Sequence, residues 1–317
     1  RLMTKKRLLG LTSVSVSAGL VIWLLSRVDG EQVIALWRQS SKGYLWLALG
    51  LTALTPVLGT LRWLGVLRAQ DSIRLPFATA LRAVLMANVL NSFLPSKGGD
   101  VVKAAYLRQH GGLTFGVGSV VLERLIDLLV LGFLGLVGYV FSGVGWGLLA
   151  GSLLIGAVGG AFVLALWLPV GRLPLPDSVH SKLIELTQVF RLWVRCPAAV
   201  LQTVGCSLGV WSVAALTVCC LVSAFDLPLG WSVAYSLFPL CLLAGLVPVT
   251  VSGVGTRDAV FVKLLMLNGV GLEGATMVAL GYTVFAYWLL SLLCLPVVGW
   301  QLVAWYRSAY LSESRQG

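Results

Sequence analysis

Six apolar runs, at about 8–26, 44–64, 115–141, 147–168, 198–224 and 275–305, decide what this chain can become. Each is long enough to cross a hydrocarbon core at about 1.5 Å rise per residue. Inside lipid every backbone N–H and C=O must be satisfied within the protein, so runs of this kind fold as helices. With 58% of 317 residues apolar and only 11% charged, a soluble domain of this size is excluded. The expectation is an all-α polytopic membrane protein, a single transmembrane domain over 1–317. No separate soluble domain fits: the longest polar stretch, 171–195, is itself half apolar.

The formal net charge of +11 would suggest nucleic acid in a soluble protein. In a membrane protein, Lys and Arg collect in cytoplasmic loops because they hold topology, so no nucleic-acid partner is expected. The six cysteines show neither metal spacing nor a CxxC pair, and His110 and His180 lie far apart. No metal, cofactor or His-based catalytic set is expected. The basic start, Lys5-Lys6-Arg7 before an apolar run, resembles a signal peptide. It lacks a clean small-residue cleavage site, so a retained first span is expected.

Two further apolar regions are broken in the middle. Region 77–110 is interrupted by Leu94-Pro95-Ser96-Lys97-Gly98-Gly99-Asp100, and region 232–268 by Pro248 through Asp258. Their arms, about 10–17 residues long, are too short to span alone. Each is expected to form a re-entrant helical hairpin, because non-helical backbone at depth needs protein or a cavity around it. Shifting the chain by 158 residues against itself places Asp100 on Asp258, Gly116 on Gly274 and Leu122 on Leu280. The same shift lays span 44–64 on 202–222, the first broken region on the second, and 115–141 on 273–299. The expected architecture is two repeats, 1–143 and 144–317, each with three transmembrane helices and one hairpin.

Three crossings is an odd number, so the second repeat is expected to be inverted. Charge gives an independent argument. With the N-terminus inside, the inner segments hold sixteen Lys and Arg and the outer segments three. Both termini are therefore expected on the cytoplasmic side of a bacterial inner membrane. Segment 178–197 carries Leu183, Leu186, Phe190 and Trp193 at helical spacing. It reads as an amphipathic helix on the cytoplasmic interface, or equally as an extension of the next span.

Candidate functional residues are charges and helix breaks at depth. Glu123-Arg124-Leu125-Ile126-Asp127 lies inside an apolar span, with Asp127 roughly 18 Å along it. A charge there costs at least about 2.5–3.5 kcal/mol and normally faces a bundle interior or a wet cavity. Glu123 and Asp127 share a helix face, and Arg124 is placed to pair with Asp127. That leaves a carboxylate for Lys97, Lys103, Arg257 or a substrate amine; the alternative is a sealed ion network. In the first break, Gly98 and Gly99 free the backbone and Asp100 suits a helix start, with Lys97 before it and Lys103 one turn inside. Such a helix start can receive a phosphate. Asn88 and Asn91 precede it. The second break repeats the device in Gly253, Gly255, Arg257 and Asp258, where Arg257 binds an oxyanion, Asp258 or Glu123. Arg62 and Arg82 are expected to snorkel to the inner interface.

Asn91 through Lys103, Glu123-Arg124-Leu125-Ile126-Asp127 and Ser252-Gly253-Val254-Gly255-Thr256-Arg257-Asp258 together resemble the transmembrane flippase family of lysylphosphatidylglycerol synthases. That family includes the flippase half of multiple peptide resistance factor and standalone relatives linked to polyprenyl-sugar pathways. Lys103 stands where the family commonly has arginine, and Asp258 where glutamate is common. No soluble aminoacyltransferase domain follows the last span, so the resemblance implies a chain that does not make an aminoacylated lipid and at most moves one.

The expected function is transbilayer movement of an anionic phospholipid or lipid-linked head group. Membrane lipids are the expected partners, with a homodimer through the Gly151 to Gly160 stretch and a lipid-modifying enzyme as further candidates. An integral-membrane enzyme acting on a lipid head group is the alternative, although no nucleophile-and-base set stands out. A non-transporting partner of such an enzyme is a third reading.

Overall fold

The computed structural model describes residues 2–70, 73–107, 113–167, 176–245, 250 and 253–313. Among these residues the regular structure is entirely helical. The chain runs through α1 (Leu2–Leu25), α2 (Gly30–Gln39), α3 (Lys42–Arg68) and α4 (Phe77–Asn91). A 3-10 turn (Pro95–Asp100) leads into α5 (Val101–Leu107), then α6 (Leu113–Ser142), α7 (Gly145–Trp167), α8 (Asp177–Arg195) and α9 (Pro197–Ala224). Next come α10 (Trp231–Ala244), α11 (Thr256–Leu267) and α12 (Leu272–Thr283), which continues through a π turn (Val284–Leu289) into α13 (Leu290–Glu313).

Among the described residues, five helical segments are long and apolar enough to cross a membrane: Lys42–Arg68, Thr114–Ser142, Gly145–Trp167, Pro197–Ala224 and Leu272–Gln301. They coincide with five of the six expected spans. The sixth, 8–26, falls in α1, and much of it lies outside the described side chains. Both broken regions form pairs of short helices packed on each other, α4 with α5 and α10 with α11. At 15 and 14 residues the longer arms reach only about 22 Å. Segment 27–43, between the first two expected spans, carries the amphipathic helix α2, capped by Asp29 accepting from the Glu31 N–H at 2.9 Å. Segment 178–197 is helical as α8, with Val189, Phe190 and Trp193 buried.

Small residues bring these helices together, as expected where lipid supplies no hydrophobic drive. The helices that the 158-residue shift relates, α3 and α9, pack along one another. A Cβ at Gly65 would lie 2.7 Å from Thr203 Oγ1. Between α6 and α7, a Cβ at Gly151 would lie 2.7 Å from the Gly132 carbonyl oxygen, and one at Gly147 2.7 Å from that of Gly135. Gly151 is thus used within the chain, whereas Gly156, Gly159 and Gly160 have nothing within 4 Å.

Pro56 sits inside α3 and cannot donate to the Thr52 carbonyl one turn back. The Thr55 hydroxyl donates to that oxygen at 2.7 Å, and the Thr60 hydroxyl donates to the Pro56 carbonyl at 2.7 Å. The Thr55 hydroxyl therefore repairs the break locally. Thr55→Val is expected to destabilise the protein by about 1 kcal/mol. Restoring the backbone donor with Pro56→Ala should remove most of that cost, as read from thermal unfolding in detergent. An equal loss in both backgrounds would argue against the repair.

Candidate functional site

Helix α6 has one charged turn, and its geometry divides the charges between two neighbours. Glu123 and Asp127 share a face and both meet Arg62 of α3. Arg62 Nε lies 3.0 Å from Glu123 Oε1, and Nη1 lies 2.5 Å from Asp127 Oδ1. Arg124, one position round from Glu123, turns toward the first helix pair and ion-pairs with Asp100, while its Nη1 lies 3.3 Å from Asp127 Oδ2. Lys103, one turn into α5, lies 2.9 Å from Glu123 Oε2 and 3.7 Å from Asp100 Oδ1.

These contacts close a ring in which sign alternates: Arg62, Glu123, Lys103, Asp100, Arg124, Asp127 and back to Arg62. Three cations face three carboxylates, so the ring is electrically neutral. Neutral donors complete it. The Asn91 amide donates to Asp100 Oδ1 at 3.2 Å, and the Trp211 indole N–H donates to Asp127 Oδ1 at 3.0 Å. Five of the six charged side chains are at most 7% exposed; Arg124 is 30% exposed.

A cavity of about 150 Å³ opens on one side of the ring. Asn91, Asp100, Lys103, Arg62, Arg124 and Asp127 form its charged wall; Glu123 sits behind them, bonded to Arg62 and Lys103. Thr52, Thr55, Asn88, Ser92 and Thr217 add hydroxyls and amides, and Trp211, Tyr282 and Tyr287 add aromatic surface. Helices α3, α4, α9 and the π-turn region of α12 thus each contribute a strip. The π turn carries Ala286 and Tyr287 on the wall, with Tyr282 before it and Leu290 after it.

The second break builds a separate cluster. Gly253 and Gly255 take φ of +78° and +96°, conformations that side-chain-bearing residues avoid. This turn lets Asp258 Oδ2 accept the Gly255 N–H at 3.0 Å while Oδ1 accepts Arg257 Nε at 3.0 Å and Nη2 at 2.6 Å. Arg257 also donates to the Thr283 hydroxyl, which in turn donates to Asp258 at 3.0 Å. The guanidinium stacks 5.0 Å from the ring centroids of Tyr282 and Tyr287.

Of the two carboxylates the sequence left open for Arg257, Asp258 is the one it meets; Glu123 pairs with Arg62 and Lys103 instead. Arg257, Asp258, Gly253 and Gly255 do not line the cavity; their cluster supports the two tyrosines that do. Gly98 and Gly99 lie in the 3-10 turn ahead of Asp100, and the Lys97 side chain lies outside the described residues. Lys103 joins Glu123, one of the pairings the sequence allowed.

Arg62 corrects the sequence reading. It does not snorkel to an interface but is buried at the centre of the ring. The span read as ending at 64 continues as helix to Arg68, about 9 Å beyond Arg62. The apolar run Trp63-Leu64-Gly65-Val66-Leu67 that follows Arg62 was the available signal. Trp211, Tyr282, Tyr287 and Thr283 were also missed. In an apolar span such residues look like ordinary core or interface positions, and only the tertiary arrangement gathers them.

Comparison with known proteins adds one finding. A model of the family described as the lysylphosphatidylglycerol synthase TM region matches residues 10–294, a range that contains both charged clusters and the whole cavity wall. No curated protein shows a significant match to the chain.

Proposed function

The chain belongs to the family of the lysylphosphatidylglycerol synthase transmembrane region, and from that premise we propose that it moves a phosphate-bearing lipid head group across the membrane. It is an integral membrane protein. The sequence reading names an anionic phospholipid or a lipid-linked head group as cargo, in a bacterial inner membrane with both termini cytoplasmic.

One observation carries the proposal: a polar cavity whose wall is an ion ring, set among helices of membrane-spanning length. Burying six charges is costly, and a purely structural fastener is usually no better than apolar packing of the same volume. Intramembrane charges beside a cavity mark substrate pathways in transporters, as do short helix pairs interrupted by glycine and proline. The cavity suits a head group and not acyl chains. The chains would remain in the bilayer while the head group passes the ring. Arg124 is the residue placed to meet a phosphate, because its guanidinium is the most exposed in the ring and presents a planar fork of donors.

The test uses purified protein in liposomes carrying head-group-labelled phospholipids, with transbilayer movement followed by accessibility of the label. Wild type is expected to exceed protein-free vesicles clearly. Arg124→Gln should reduce the rate by at least about tenfold, the scale of one charge-assisted contact. It also unbalances the ring by one charge, so some thermal stability should be lost, less than for a fully buried ring member because this side chain is 30% exposed; rates are compared below the variant's melting temperature. A wild-type rate equal to that of protein-free vesicles for every lipid tried would sink the transport reading.

A further inference from the structure

The charge balance of the cavity says more about the cargo than the presence of cations does. In the ring three cations are matched by three carboxylates, each charge within 4 Å of two opposite neighbours. Arg257 is matched by Asp258. Among the described residues the remaining lining is neutral: threonines, asparagines, a serine, aromatic and aliphatic side chains. Of Lys97, Lys103 and Arg257, which suggested an anionic cargo in the sequence, Lys103 and Arg257 are therefore already compensated. A net anion entering this site would leave an uncompensated negative charge among apolar helices, which is unfavourable.

We infer that the head group accepted here is zwitterionic, a phosphate carried together with an ammonium. The pair it would exchange with is Arg124–Asp100. Both residues line the cavity, they come from different elements, and Arg124 is far more exposed than any other ring side chain. When that pair opens, the phosphate takes the Arg124 guanidinium and the ammonium takes the Asp100 carboxylate. Neither residue is stranded: Arg124 keeps Asp127, and Asp100 keeps Lys103 and the Asn91 amide. The site stays neutral before, during and after the exchange, so no step buries a bare charge. This inference rests on the cavity being the head-group site; it narrows the cargo from phosphate-bearing head groups to charge-balanced ones and departs from the anionic lipid expected from the sequence.

Binding tests the charge class separately from movement. Purified protein in detergent is titrated with phosphatidylethanolamine, phosphatidylglycerol and a neutral glucosyl diacylglycerol of identical chains, with bound lipid read by native mass spectrometry and by thermal shift. The zwitterion is expected to bind at least about tenfold tighter than the anion, the equivalent of one favourable charge contact. Asp100→Asn, which removes the ammonium partner, should erase that preference. Should this variant fail to fold, the wild-type ranking decides alone. Tighter binding of phosphatidylglycerol or of the glycolipid, or no selective binding, overturns the inference. An anion preference that disappears in Lys97→Gln would overturn it too, by locating an unmatched cation. Zwitterion-selective binding without movement in liposomes would leave the charge class standing and defeat transport.

Discussion

Arg62→Ala is expected to destabilise the protein by about 3–5 kcal/mol, the cost of removing one partner from a buried ion pair. Arg62 is 7% exposed at its side chain and is the only ring member that contacts both Glu123 and Asp127 on their shared face. Without it the ring carries two cations and three carboxylates, and the surplus negative charge lies on carboxylates at most 6% exposed. Asp127 would keep Arg124 and the Trp211 indole, and Glu123 would keep Lys103, but no rearrangement of these restores neutrality. The melting temperature in detergent should fall on the order of 10 °C. Arg62→Lys should recover little, because an ammonium cannot reach two carboxylates in the way a guanidinium fork does.

The decisive comparison is the double variant. Combining Arg62→Ala with Asp127→Asn restores the balance of charge, so its loss should be smaller than the sum of the two single losses. Additive losses would mean that the ring is a set of independent contacts. A single Arg62→Ala that melts with wild type would mean that the network contributes nothing to stability.

The same arrangement shows what could be read in the chain beforehand. Span positions were legible because lipid forces apolar runs into helices, and five helical segments fall where hydropathy placed them. The breaks at Pro95–Asp100 and Gly253–Gly255 were legible because glycine and proline punctuate apolar runs for local steric reasons. The importance of Glu123, Arg124 and Asp127 was legible from cost alone. Partner choice was not. Helical spacing placed Glu123 and Asp127 on one face, yet it could not say that the facing cation would be Arg62, sixty-one residues earlier, because that pairing is set by how α3 packs against α6. Arg257 and Asp258, adjacent in sequence, pair locally, and their role in supporting Tyr282 and Tyr287 depends on α12 lying beside α11. Charge can be counted in a sequence; compensation is a property of the packed bundle.

Gly99 tests how far the ring depends on the backbone that carries it. A Cβ at this position would lie 2.5 Å from the Ala87 carbonyl oxygen, 2.7 Å from the Asn91 backbone nitrogen and 2.8 Å from Asn91 Oδ1. Two of these are backbone atoms of α4, so relief requires the 3-10 turn to move as a unit. Asp100 is the next residue, and displacing it loosens the ring at Arg124 and at Lys103 together. Gly99→Ala is therefore expected to cost about 3 kcal/mol, the upper range for overpacking, and to reduce lipid movement with it. Gly98 is the matched control. A Cβ there meets Leu94 Cβ at 3.7 Å and Cδ1 at 3.9 Å, ordinary contacts, so Gly98→Ala should stay within about 0.5 kcal/mol of wild type. Thermal unfolding of the two variants side by side separates the effects, because both make the same chemical change one residue apart. Equal stability would show that the turn yields without disturbing the charges. A loss confined to Gly99→Ala, and lessened when Asp100→Asn is added, would show that the glycine is needed because it holds a carboxylate against Arg124.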